Sequence, residues 1–211
     1  MTKLSVIQLR ERDALADDLR SLSPDQWRSA TLCGEWDVEE VVAHLGAASR
    51  LSFPGWLRSM IGARFDPDVH NRRRLEEFRG SSPEETLARF VGIGPIRLPR
   101  RESVGGLGEM IVHSEDIRRP LGIRHDPDPE GLLAVATFFA AKDFAVNSKS
   151  LVAGLRLRAD DAAYVSGEGP EVSGRLLDLV MVMAGRREAL EGLVGDGLSE
   201  LTRRLGRSTR R

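Results

Sequence analysis

Cysteine is almost missing from this 211-residue sequence: Cys33 stands alone, which excludes any disulfide within the chain. A lone thiol fits a reducing compartment, and the cytoplasm is the expected location. Lysine is as scarce, at three residues (Lys3, Lys142, Lys149) among 31 basic ones, the rest being arginine. An excess of one charge sign is also lacking. The 31 basic and 32 acidic residues leave a net charge of −1, so no overall field recruits nucleic acid or an anionic membrane. The locally basic run from Arg203 to Arg211 reads as a frayed tail. Long apolar runs are absent. The opening MTKLSVIQLRERDAL is broken by charges and holds no signal-peptide core. The most apolar stretch, Leu176–Ala184, is far too short to span a bilayer. No internal repeat or low-complexity tract is present.

What remains is an ordinary globular composition, 41% hydrophobic, with mostly helical punctuation. A first helix is expected over Lys3–Leu22, and Ser23-Pro24 then opens a short turn holding Trp27. Asp37 followed by Glu40 has the spacing of a capping box, and starts a helix with Val38, Val41, Val42 and Leu45 on one stripe. His44 falls at the edge of that stripe. Further helices are expected from Pro54 (with Trp56, Leu57, Met60 and Ile61), over Asp68–Phe78, from Ser82 to Val91, and past Gly105-Gly106 to Pro120. The segment 92–101 reads as a loop. A long helix fits Pro129–Asn147. Beyond Ser150, Leu151–Arg158 alternates like a strand with Ala162–Gly167 as its partner. Val172–Ala184 then reads as a helix, broken at Gly185, and a last helix ends near Leu205. The expected fold class is mainly α: a helical, four-helix bundle over residues 1–147, then a small α/β appendage over 148–211.

Glu109 and His113 are spaced i, i+4, which puts both side chains on one helical face a turn apart. His44 sits on another helix with the character of a third ligand. Two imidazoles and a carboxylate, with one position left for water or substrate, make a catalytic zinc arrangement that also accepts iron, nickel or manganese. Asp116, at i+3 from His113, is placed to orient an imidazole through its other nitrogen. Glu115 is expected to be solvated. Spacing by itself leaves open the plainer reading of three unrelated polar residues, since Glu-x-x-x-His pairs recur by chance in helices.

A resemblance weighs on that choice. The segment Thr31-Leu-Cys-Gly-Glu-Trp-Asp-Val-Glu-Glu-Val-Val-Ala-His44-Leu45 resembles the second helix of the DinB-like, mycothiol-dependent maleylpyruvate isomerase family, whose histidine binds metal. Gly108-Glu109-Met-Ile-Val-His113-Ser-Glu-Asp116-Ile117, running on to Leu121-Gly122, is similar to that family's second motif. Ala184-Gly185-Arg186-Arg187-Glu-Ala-Leu190 through Gly195-Asp196-Gly197 is similar to its C-terminal signature. Many DinB-like relatives place a third histidine where this chain has Glu109; the isomerase branch uses glutamate. The skew towards arginine, with abundant Ala, Gly, Leu and Val, also fits a GC-rich genome of the kind many actinobacteria carry.

The resemblance implies a DinB-like metal-binding domain and a divalent ion, expected to be zinc, on His44, Glu109 and His113. It also implies mycothiol as cosubstrate. A thiol of pKa about 8.5 is deprotonated on coordination to a cation, and the thiolate can add to a small electrophile, for isomerisation or for S-transfer. Arg186, in the family's Gly-Arg, is the candidate catalytic cation for an anionic substrate; capping the preceding helix is its plain alternative. Arg72-Arg73-Arg74 reads as a solvated face, Cys33 as packing, and Trp36 as a staple towards Val41. His70 and His125, in polar and loop-like surroundings, receive no role. The partners expected are a small-molecule thiol and an electrophile, with neither nucleic acid nor membrane. The rival reading is a DinB-like protein that binds metal or a small ligand without catalysis.

Overall fold

The computed structural model describes residues 2–34, 36–50, 58–59, 62, 66–96, 103–143 and 146–208. The chain divides into two compact units, Met1–Pro127 and Asp128–Arg211. The division falls earlier than the boundary expected after residue 147. Helix α7 (Pro129–Ala141) packs on α9 (Leu176–Met183) and so belongs with the second unit.

The named elements of the first unit are all helices: α1 (Lys3–Arg20), α2 (Pro24–Trp27), α3 (Val38–Ser49), α4 (Pro67–Phe78), α5 (Pro83–Val91) and α6 (Ser103–Arg118). Each start has a local cause. Ser23 and Asp37 both form capping boxes, with Gln26 and Glu40 respectively, and Ser82 accepts from the Glu85 N–H ahead of Pro83. These satisfy backbone donors that a helix cannot satisfy itself. The helix expected from Pro54, with Trp56, Leu57, Met60 and Ile61, lies outside the described residues. So do residues 97–101 of the expected loop.

Helix α3 packs on α4, α5 and α6, and α1 packs on α5 and α6. The apolar stripe of α3 (Val38, Val41, Val42, Leu45) meets Leu15, Leu19, Phe78, Phe90, Met110 and Ile117 in one core. Burying each such side chain contributes roughly 1.5–3 kcal/mol. A Cβ on Gly46 would sit 2.1 Å from the Phe78 ring, so the absence of a side chain there is what lets α3 and α4 approach. Beside this core, Glu39 is buried and accepts from Thr86 at 2.8 Å and from Arg28 and Arg79, each at 2.7 Å. Burial pushes its pKa up, but the Arg79 and Thr86 hydrogen bonds and the charges of Arg79 and Arg28 outweigh that and leave it lowered.

The second unit is the expected small α/β element, with a different internal layout. After α7 and α8 (Ser148–Val152) come β1 (Arg156–Ala159), β2 (Val165–Ser166), β3 (Glu171–Gly174), α9, a 3-10 turn (Arg187–Gly192), β4 (Leu193–Val194) and α10 (Leu198–Ser208). The sheet order is β2-β1-β3-β4, with β1 and β3 parallel and both outer pairs antiparallel. Two expectations are corrected here. The strand expected over Leu151–Arg158 begins only at Arg156, because Leu151 and Val152 close helix α8. Residues 171–174 form β3, because Leu157 pairs with Val172 and Gly174 with Leu193, a tertiary pairing that Val172's local sequence does not reveal. No helix among the described residues is long and apolar enough to cross a membrane.

Candidate metal centre

The site is built where α3 meets α6. Ahead of α3, the chain from Ala30 to Asp37 closes on itself. Thr31 donates to the Trp36 carbonyl from both its backbone and its hydroxyl, and the Cys33 N–H donates to Thr31 Oγ1 at 3.1 Å. Gly34 makes the turn at φ 63°, a left-handed conformation that suits glycine. The Leu32 N–H donates to the Asp116 carbonyl at 3.1 Å, which ties this loop to α6. The loop thereby brings Cys33 and Trp36 to the same place as the ligands.

His44 Nε2 lies 3.8 Å from Glu109 Oε2, and His113 Nε2 lies 3.3 Å from the same oxygen. The two imidazole rings meet edge to face at 5.0 Å. Ligand atoms of His44, Glu109 and His113 all lie within 4.8 Å of one another. Donors about 2.0–2.1 Å from a tetrahedral ion are separated by roughly 3.3 Å, so the set needs only small adjustment to close on a divalent cation. Each side chain keeps some solvent exposure, at 14%, 21% and 11% in that order.

Asp116 is fully buried and its Oδ2 lies 2.9 Å from His113 Nδ1, so a Nδ1–H can donate to it and leave Nε2 to face Glu109. Burial pushes the His113 pKa down, but hydrogen bonding to Asp116, Cys33 and Glu109 more than reverses this, and the imidazole ends well above its ordinary value. Burial likewise pushes Glu109 up, and the two imidazoles overcome it, holding the carboxyl far below the usual range. The Glu109 carboxylate and the two imidazoles thus attract one another.

The other side chains singled out in the sequence divide: Glu115 and His70 stand elsewhere than expected, whereas Cys33 and Trp36 do pack against the core. Glu115 is buried, not solvated: burial raises its pKa against the pull of Arg118 and Arg119. Arg119 Nε lies 3.2 Å and Arg118 Nη1 3.8 Å from its carboxylate. Cys33, read as packing, has its sulfur grouped with ligand atoms of His113 and Asp116. Trp36, read as a staple, has its ring 5.0 Å from that of His44. His70 is a buried residue of α4, not a loop residue, and its Nδ1 lies 2.8 Å from Ser59 Oγ. His125 Nε2 lies 2.7 Å from Glu11 Oε2. Of the Arg72-Arg73-Arg74 run, Arg72 and Arg73 are exposed while Arg74 is half-buried. Arg186 belongs to the second unit and donates from Nη1 to the Ala184 carbonyl at 2.8 Å, closing α9. The nearness of Cys33 and Trp36 was foreshadowed by one signal, their place in the entry to the His44 helix. Burial of His70 had none.

Residues 9–105 match the family described as the mycothiol maleylpyruvate isomerase N-terminal domain. That match contains His44 and ends before Glu109. Two solved structures, the mycothiol-dependent maleylpyruvate isomerase and a point mutant of it, share the fold. Each has a TM-score of 0.59 at 15% identity, over 92% of this chain and 92% of its own. No curated protein matches the chain.

Proposed function

We propose that the chain, whose residues 9–105 match the mycothiol maleylpyruvate isomerase N-terminal domain, is a metal-dependent enzyme that uses a low-molecular-weight thiol, mycothiol, to isomerise a small electrophile. S-transfer to such an electrophile is the neighbouring possibility in the same chemistry. The observation that carries the reading is the convergence of His44, Glu109 and His113 with spacings near those of a tetrahedral site. A divalent ion, zinc by preference for two imidazoles and a carboxylate, would supply a cation that keeps a bound thiol as its thiolate.

The chain's own residues do the rest. Asp116 fixes the His113 ring and its tautomer. Glu109 lends negative charge that offsets the cation. Trp36 lies against His44 and shields one side of it from water. The partial exposure of all three ligands leaves room for thiol and substrate, which favours an enzyme over a closed storage site. Addition of the thiolate to a conjugated double bond makes that bond single; rotation and expulsion of the thiolate give the other geometric isomer.

The test is metal content by mass spectrometry on wild type, His44→Ala and Glu109→Ala, with and without added zinc. Mycothiol-dependent turnover of maleylpyruvate is then assayed on the loaded protein. Near one equivalent in wild type, lost in both variants and accompanied by turnover, is the expected result. One equivalent without thiol binding or turnover would establish the non-catalytic metal-binding alternative. No metal in wild type even after zinc addition would overturn the reading.

A further inference from the structure

Cys33 is the chain's single cysteine, and the loop ahead of α3 holds it from both sides. Its N–H donates to Thr31 Oγ1 at 3.1 Å, and its carbonyl accepts from the Trp36 N–H at 3.3 Å. The neighbouring Leu32 N–H is fastened to the Asp116 carbonyl at 3.1 Å. The half-buried thiol is thereby set against α6. Its sulfur, a ring nitrogen of His113 and a carboxylate oxygen of Asp116 all lie within 4.8 Å of one another. His113 and Asp116, spaced i, i+3 on α6, are both buried. Among the described residues this donor set shares only His113 with the set of His44, Glu109 and His113. The shared ring turns Nε2 to Glu109, at 3.3 Å, and Nδ1 to Asp116, at 2.9 Å. A sulfur and a nitrogen or oxygen on one tetrahedral ion stand roughly 3.6 Å apart, and farther apart on a larger ion, so modest shifts close the second set.

We propose that Cys33, His113 and Asp116 form a second cation site, taking a thiophilic divalent ion larger and softer than zinc, of the cadmium kind, and that its occupation disables the first set. A thiolate is the donor such ions prefer, whereas two imidazoles and a carboxylate suit zinc. The ion would draw on His113 Nδ1, the nitrogen that Asp116 faces. Coordination releases the thiol proton and the Nδ1 proton to solvent. Lone pairs of sulfur, nitrogen and oxygen form the new bonds, and nothing is oxidised. With Nδ1 and Asp116 both engaged, the hydrogen bond that orients the ring for Nε2 is gone. One imidazole then serves either ion but not both well, and each ion weakens the other by the same factor.

The experiment titrates cadmium into the metal-free full chain and into Cys33→Ser, His44→Ala and His113→Ala, following the ultraviolet thiolate-to-cadmium charge-transfer band. Circular dichroism checks the fold of each. Because the chain has a single cysteine, the band reports the Cys33 sulfur alone. Wild type should develop the band, and His44→Ala should develop it at least as tightly. Cys33→Ser should bind cadmium more than about 100-fold more weakly, a greater loss than removal of an outer partner causes, yet hold zinc within about 3-fold of wild type. His113→Ala should lose cadmium to a similar extent. Zinc loaded beforehand should lower the apparent cadmium affinity of wild type. No band in wild type, a band that His113→Ala leaves at full affinity, or a band lost in His44→Ala would overturn the proposal. The second of these would mean a lone thiol, and the third a sulfur that joins the first set. Should His113→Ala fail to fold, the competition in wild type decides instead, since cadmium held by a lone thiol would leave zinc undisturbed. A wild type that takes cadmium with the band and refuses zinc would sink the zinc-dependent reading above and leave this site standing.

Discussion

Asp116→Asn perturbs the metal site without touching a ligand. The residue is fully buried and its Oδ2 sits 2.9 Å from His113 Nδ1. Asparagine has nearly the same volume, so packing is preserved while the charge is lost. Its amide oxygen can still accept from Nδ1–H, but a neutral acceptor makes the opposite nitrogen a weaker base. Its amide hydrogens also need acceptors where the carboxylate needed none. Loss of such an orienting carboxylate lowers metal affinity about 10- to 100-fold, equivalent to about 1.4–2.7 kcal/mol. Zinc titration against a chelating chromophore at neutral pH measures this directly, with circular dichroism to confirm the fold. A Kd within about twofold of wild type would refute the idea that Asp116 acts on the ion through His113.

Protons and metal compete for His113. Its folded pKa is raised, with burial opposing and Asp116, Cys33 and Glu109 prevailing. The metal-free protein therefore gains stability that is complete below the unfolded histidine value and is lost as pH rises through the folded one. Zinc affinity should climb about tenfold per pH unit over the same range; melting curves across pH in chelator and in zinc should diverge, the first falling and the second rising. Glu39→Gln removes the charge that holds Arg28, Arg79 and Thr86 and should cost about 2 kcal/mol in urea unfolding at neutral pH, a cost that shrinks on acidification because the Glu39 pKa is lowered in the folded state. Gly46→Ala gains helix propensity but drives a Cβ to 2.1 Å from the Phe78 ring, so a net loss of about 1–3 kcal/mol is expected by the same measurement. Arg186→Ala separates two roles. Service to an anionic substrate raises KM for maleylpyruvate on the order of tenfold, whereas capping alone lowers Tm and leaves the kinetics as they were.

The parts legible in the sequence were those set by neighbours along the chain. Ser23, Asp37 and Ser82 cap where hydroxyl or carboxylate precedes a helical pattern, and each does so in the structure. Glu109 and His113 project together because helical geometry demands it. The errors share a different physical origin. Glu115 was assigned to solvent on the premise that a helix has one wet side, but α6 lies between α1 and α3 and is buried from Leu107 and Gly108 through Arg118 at nearly every position. Strand β3 exists because β1 and β4 flank it, and a segment of four residues carries too little periodicity to announce that. His70 is buried by the docking of α4 on α3, an event its polar neighbours Asn71, Arg72 and Arg73 conceal.

The ligands come from α3 and α6, so an ion held by His44, Glu109 and His113 would fasten together two stretches of chain separated by nearly seventy residues. In the unfolded chain those stretches roam independently. A bond across them forbids most of that wandering, as a disulfide of the same span would, at a cost to the unfolded ensemble of about 4 kcal/mol. The centre would therefore serve as a topological clasp as well as a reaction site. Loss of the ion would be felt in the slowest opening motions of the helices, measurable by hydrogen exchange at the backbone amides of Val42 and Ile111, both buried in the helices that carry the ligands.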